Sequence, residues 1–241
     1  MRDRWSGGFE GGRFFGRGGV EIDPIQAEEL PIGLKNQKPM SALSAKFQTS
    51  APSLETCPIS LLPEFAFIGR SNVGKSSLLN MLAGAKGLAK VSATPGHTQL
   101  INFFAVGTTW SLVDLPGYGY ARTAKTERDR FQQMIAGYLC GRKNLACVFV
   151  LIDARHEPQE IDVDFVKWVV DERVPFALVF SKADKVSPAR VKANIELFQA
   201  KIGTWTAELP RVFTTSAETR SGRMELLGFI RDTVGGAGVK R

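Results

Sequence analysis

Along the chain, apolar positions gather into short blocks of two kinds, and the two kinds alternate. Glu64–Gly69 (EFAFIG) is an apolar run closed by glycine, the pattern of a buried strand. Residues 75–85 follow with helical spacing. Residues 98–106 and 108–114 read as two strands around a short turn at Gly107, which predicts a hairpin. Residues 126–140 are helical. Leu145–Asp153 (LACVFVLID) is continuously apolar, as a strand buried on both faces must be. Helix 160–172, strand 174–181, helix 188–202, strand 211–215 and helix 222–233 complete the series. This alternation predicts an α/β domain: a mostly parallel, doubly wound sheet of six strands, with one antiparallel edge strand and helices on both faces.

Upstream the pattern fades. Residues 1–19 are dense in Gly and Arg, without a helix or strand period, and residues 1–40 are expected to form a disordered extension. Arg together with Trp5, Phe9, Phe14 and Phe15 suits stacking on single-stranded RNA, but a solvated tail is the favoured alternative. Residues 20–58 are Pro-rich, with a short helix expected at 41–49. The domain is therefore placed at 60–235, and residues 236–241 form a short basic tail.

Composition narrows the class. The 241 residues are 44% apolar, enough for one sizeable core. No apolar run reaches the roughly 20 residues of a membrane span, and residues 1–19 lack the apolar stretch of a signal peptide. A soluble, cytoplasmic protein is expected. Cys57, Cys140 and Cys147 lack metal-ligand spacing, which argues against a disulfide framework or structural zinc. The net charge of +7 suits a polyanionic partner without choosing one.

The chemistry sits in the loops after the strands. Gly69-Arg70-Ser71-Asn72-Val73-Gly74-Lys75-Ser76 matches G-x-x-x-x-G-K-[ST], between a predicted strand and a predicted helix. Its glycines let successive N–H groups face phosphate oxygens, and the helix adds its positive end. Lys75 would reach the β- and γ-phosphates, and the Ser76 hydroxyl would ligate Mg²⁺. A solvated Gly-rich turn is a remote alternative here.

Such a loop serves ATPases, nucleoside kinases and GTPases alike. Ser181-Lys182-Ala183-Asp184, just past the strand VPFALVF, selects among them. A carboxylate there accepts from N1–H and the N2 amine of guanine, whereas adenine would leave it unpaired, a discrimination of about 10⁴ or more. The Lys182 stem can lie across the base. Ser stands where Asn is commoner, and the shorter hydroxyl is expected to tether the phosphate loop less firmly. Thr215-Ser216-Ala217, ending the last strand, would offer a backbone N–H to the guanine carbonyl.

Asp114-Leu115-Pro116-Gly117 matches D-x-x-G: Asp114 would hold Mg²⁺ through water, and the Gly117 N–H would bond the γ-phosphate. The first switch belongs within residues 94–99, and Thr98 is chosen over Thr94 to reach Mg²⁺ and the γ-phosphate. Tyr118 follows Gly117 where Ras-like enzymes place the water-orienting Gln, so slow unaided turnover is expected. Asn72 has a side-chain oxygen suited to a cation beside the phosphates. K⁺ there would supply charge that other enzymes take from an arginine finger; a plain turn-forming Asn is an equal alternative. Lys75, Thr98, Gly117 and Asn72 are thus the candidate catalytic residues.

Taken in order, GRSNVGKSSLLN, TPGHTQLINFF, DLPGYGYA and SKAD resemble the EngB (YsxC, YihA) family of bacterial ribosome-assembly GTPases, over roughly residues 40–235. T-P-G-x-T-Q and D-L-P-G-Y-G-Y-A are the most specific parts. The resemblance implies a Ras-like fold with strand order 2-3-1-4-5-6, a role in maturing the large ribosomal subunit, and a link to cell division and septation. By matching motifs it implies nucleotide contacts at Gly69 to Ser76, at Gly96, His97, Thr98, Gln99 and Leu100, at Asp114 to Gly117, at Ser181 to Asp184 and at Thr215 to Ala217, with Mg²⁺ on Ser76 and Thr98. His97 departs from the family's usual Arg.

The expected partners are GTP or GDP and a large-subunit precursor, with no membrane or DNA and a monomeric chain. Arg122, Lys125, Arg128 and Arg130 would face rRNA phosphates, or form an ordinary basic helix face. A GTPase of tRNA modification or membrane signalling, a P-loop nucleoside kinase and a nucleotide-holding binding module stay open on the motifs alone.

Overall fold

The computed structural model describes residues 45–85, 87–89, 100–119, 125–206 and 208–236. Seven strands form one sheet: β1 (Ala45–Ala51), β2 (Glu64–Gly69), β3 (Ile101–Val106), β4 (Trp110–Asp114), β5 (Leu145–Asp153), β6 (Phe176–Ser181) and β7 (Val212–Thr214). Their order is β1-β3-β4-β2-β5-β6-β7. Among the described residues five α-helices pack on it: α1 (Lys75–Ala83), α2 (Lys125–Gly141), α3 (Glu160–Asp171), α4 (Pro188–Ile202) and α5 (Arg223–Val234).

The six predicted strands occur in the predicted order, and the α/β class holds, but the sheet gains a seventh strand. Residues 45–51 (AKFQTSA) form β1, where a helix was expected at 41–49. Ala and Leu in that stretch favour a helix locally, yet β3 would otherwise end the sheet with an unpaired edge. β1 pairs antiparallel with β3 from Ala45↔Val106 to Ala51↔Ile101. Phe47 packs edge-on against Phe104 at 5.7 Å, and the Ser50 hydroxyl donates to Asn102 at 2.6 Å. The antiparallel strand is consequently β3, second from the edge, and not the edge strand itself. The sheet also begins upstream of residue 60, the expected start of the domain. Residues 1–40 and 237–241 lie outside the described residues.

Each sheet face buries its own set of side chains. Alternation along β2 sends Ala66 and Ile68 toward α2, α3 and α4, and Phe65 and Phe67 toward α1 and α5. Full burial of such a side chain stabilises by about 1.5–3 kcal/mol. α4 starts with Ser187, whose hydroxyl accepts from Arg190 N–H at 3.3 Å, followed by Pro188 at the first helical position.

At the N-terminal end of β2, the fully buried carboxylate of Glu64 accepts from Tyr138 at 2.8 Å and from Arg142 at 2.6 and 2.9 Å. This buried cluster pins the end of α2 beneath the sheet. The opposite edge, where β2, β4, β6 and β7 end, carries the predicted motifs.

Candidate nucleotide-binding site

Strand β2 delivers the chain into the phosphate loop at Gly69. A Cβ there would stand 2.8 Å from Leu151 O and 2.9 Å from Val73 Cγ1, so glycine alone lets β2 pass this close to β5. The loop then turns through Asn72 (φ 63°) and Gly74 (φ 102°), left-handed conformations that Asn and Gly tolerate best. Val73 is buried beneath it. Gly74 is the N-cap of α1 and has no side chain to bond the first N–H groups of the helix, which leaves that positive end open to an anion.

The second motif lies on this loop. Strand β4 ends at Asp114, and the chain continues alongside β2: Leu115 N–H donates to Phe67 O at 3.0 Å, and Tyr118 N–H to Gly69 O at 3.2 Å. A Cβ on Gly117 would stand 2.9 Å from Gly69 O, so the close approach requires glycine. Lys75 Nζ donates to the buried Asp114 carboxylate, placing the loop's cation and the motif's anion side by side.

Tyr118 turns inward. Its ring stacks on Phe165 at 4.4 Å, and its hydroxyl donates to Asp162 on α3 at 3.0 Å. Burial, and next the charge of Asp162, push its phenol well above the ordinary value. Arg70 spends its side chain on the same carboxylate, with Nε 3.0 Å from both oxygens. Burial lifts the Asp162 carboxyl despite Arg70 and Tyr118. Arg70 thus offers the loop its backbone only.

The base-reading motif is tied to the same loop. Ser181 Oγ donates to Val73 O at 2.6 Å, a short buried bond where a slack tether was expected; the backbones approach closely enough for the shorter side chain. Lys182 (φ 59°) reaches Asn72 O at 2.5 Å and Asp153 at 3.0 Å, and its stem passes over Gly74. Burial raises the Asp153 carboxyl, but hydrogen bonds from Arg155 and Lys182 outweigh it and bring the pKa down to about 2. Ala183 N–H donates to Thr215 O at 3.1 Å, joining the motif to Thr215-Ser216-Ala217. The Ser216 hydroxyl, and next the Lys185 ammonium at 3.0 Å, hold the Asp184 carboxyl below its usual range.

Gly69 to Ser76, Asp114 to Gly117, Ser181 to Asp184 and Thr215 to Ala217 are therefore gathered at one sheet edge. Leu100 emerges there too, because its neighbour β3 pairs Asn102 with Asp114. Gly96, His97, Thr98 and Gln99 lie outside the described residues, as does Arg122. Asp153 and Asp162 belong to none of these motifs. Their signals are a carboxylate ending a buried strand and an acidic residue on the apolar face of α3, beside Val163 and Val166.

The geometry is matched by kinship. A sequence profile described as 50S ribosome-binding GTPase matches residues 64–182. The probable GTP-binding protein EngB of Porphyromonas gingivalis is 51% identical over 191 residues, 79% of this chain and 95% of that protein. The chain belongs to the EngB family of GTP-binding proteins. A second EngB, from Christiangramia forsetii, is 48% identical over 191 residues, 79% of this chain and 96% of its own length. Among solved structures, a probable GTP-binding protein engB superposes with a TM-score of 0.58 at 23% identity, over 72% of this chain and 99% of that one, a likeness of fold. As an EngB protein with a Ras-like fold, the chain binds guanine nucleotide and hydrolyses GTP, which removes the nucleoside-kinase alternative. Among the described residues no helix is long and apolar enough to cross a membrane.

Proposed function

We propose that the chain is a cytoplasmic, monomeric GTP-dependent switch in assembly of the large ribosomal subunit, acting on a subunit precursor and needed for normal cell division and septation. The observation that carries the switch is the seating of Gly117 on the phosphate loop, its would-be Cβ 2.9 Å from Gly69 O. A γ-phosphate held by the loop would meet the Gly117 N–H, and its loss on hydrolysis would release both switch segments. The ribosomal partner is supported by the description of the matching family as 50S ribosome-binding, and by the net charge of +7.

In this reading the Gly69–Ser76 backbone cradles the phosphates and Lys75 exchanges Asp114 for them. Asp184 reads guanine beside the Lys182 stem, and the Thr215-Ser216-Ala217 loop meets the base carbonyl. The hydroxyls of Ser76 and Thr98, with the Asp114 carboxylate acting through water, would give Mg²⁺ the hard oxygen donors it takes. Buried Asp114 already accepts a cation, that of Lys75. When bound, Mg²⁺ neutralises charge building on the phosphates. Asn72 is assigned to K⁺ beside them; equal hydrolysis rates in K⁺ and Na⁺ would remove that assignment.

Co-sedimentation of the full chain with separated ribosomal subunits tests the function. Binding to the large subunit or its precursor is expected with a non-hydrolysable GTP analogue and weakens with GDP. Equal binding in both states, or binding to neither subunit, defeats it.

A further inference from the structure

Three parts of the chain meet at one buried carboxylate. Arg70 comes from the phosphate loop, Tyr118 from just beyond Gly117, and Asp162 from the first turn of α3. Arg70 Nε lies 3.0 Å from both Asp162 oxygens, and the Tyr118 hydroxyl lies 3.0 Å from one of them. Asp162 and Tyr118 are 1% and 2% exposed, so water does not readily replace either partner. The backbone is closed in the same place: Arg70 and Tyr118 form a parallel bridge, and a Cβ on Gly119 would stand 2.9 Å from Ile161 of α3.

We propose that Asp162 is a positioning residue of the GTPase: by gripping Arg70 and Tyr118 together it fixes the Gly117 peptide against the phosphate loop, so α3 sets how well a γ-phosphate is recognised. This rests on the assignment of Gly117 to the γ-phosphate made above. Gly117 has no side chain with which to fix itself, and its orientation comes from the residues on either side. Leu115 is bonded to β2 through its backbone, and Tyr118 is held through both its N–H and its hydroxyl. Loosening the hydroxyl end frees the Gly117 N–H to swing. GDP has no γ-phosphate and does not use that N–H, whereas GTP does. The clasp therefore acts on one nucleotide and spares the other.

The test uses the full chain and two variants. Tyr118→Phe removes one hydroxyl and keeps the ring on Phe165; Asp162→Asn removes the charge. Affinities for GDP and a non-hydrolysable GTP analogue are measured by titration, with single-turnover hydrolysis at saturating GTP and a thermal melt. The analogue-to-GDP affinity ratio is expected to fall about tenfold in each variant, with hydrolysis, while GDP affinity stays within about twofold. The double variant is no worse than the worse single one, because both break one clasp. Should Asp162→Asn not fold, Tyr118→Phe decides. An unchanged ratio in Tyr118→Phe, or equal losses for GDP and the analogue, overturns the proposal and leaves the nucleotide site standing. A wild-type chain that binds no guanine nucleotide takes both down.

Discussion

The hydroxyl of Ser181 donates to the carbonyl oxygen of Val73 at 2.6 Å, so the end of β6 and the turn of the phosphate loop are held by one buried hydrogen bond. Ser181→Ala takes that donor from a buried carbonyl, at a cost of about 1–3 kcal/mol. GTP and GDP both need the loop and the base motif in register. Their affinities are expected to fall together, each about tenfold, in calorimetric titration. A variant that binds both at wild-type strength would mean the two loops are independently ordered.

Asp184→Asn should abolish the preference for guanine. A carboxylate offers two acceptors to the N1–H and N2 amine, while an amide turns one of them into a donor facing a donor. Guanine affinity is expected to fall by about 10⁴ without a matching gain for ATP. Competition titrations of GTP and ATP against both proteins measure it, and retention of GTP within tenfold would sink the assignment.

The loops were legible because their chemistry is local. A glycine that must let β2 pass β5, another that must take φ 102° before a helix, and a Lys at a set distance leave a mark on adjacent positions. The α/β class was legible from alternating periods, and the strand order from the resemblance to the family. Strand β1 was not, since its own residues favour a helix weakly and its place is decided by the edge of β3, some fifty residues away in the chain. The Arg70–Asp162–Tyr118 cluster was hidden for the same reason. Its partners are 92 and 44 residues apart, and only Asp162 on an otherwise apolar helix face hints at it.

Acid should loosen the site through Asp153. Its folded pKa of about 2 lies below the ordinary carboxylate value, because the bonds from Arg155 and Lys182 outweigh burial. The proton is thus bound more tightly by the unfolded chain. The stability this contributes is fully present above about pH 4 and is lost as pH falls toward 2. Melting temperatures of wild type and Asp153→Asn should differ most near pH 6 and converge toward pH 2.5. A gap that stays constant over that range would show that the carboxylate's charge is not what matters.

At the far end of the sheet, Arg142→Ala should cost about 3–5 kcal/mol, because it strands the Glu64 carboxylate in a place with no access to water. Tyr138 alone remains to face it. Urea denaturation should show a lower midpoint with an unchanged slope. Arg142→Ala combined with Glu64→Gln should recover part of the loss, since the stranded charge is then gone. No recovery would assign the effect to the Arg142 stem and its 2.7 Å bond to Pro58 O.

Unaided GTP hydrolysis should be slow. Ras-like enzymes orient the attacking water with a Gln just after D-x-x-G. Here that position is Tyr118, itself 2% exposed, its hydroxyl engaged by Asp162 and its ring lying on Phe165. A side chain so placed cannot also hold a water at the phosphate loop. Single-turnover measurements on the purified chain should give a rate at or below about 10⁻⁴ s⁻¹. A rate above about one per second would mean that another group already aligns the water. If the rate is as low as expected, adding large ribosomal subunits, the proposed partner, should raise it, since a docked partner can supply in trans the group that Tyr118 cannot.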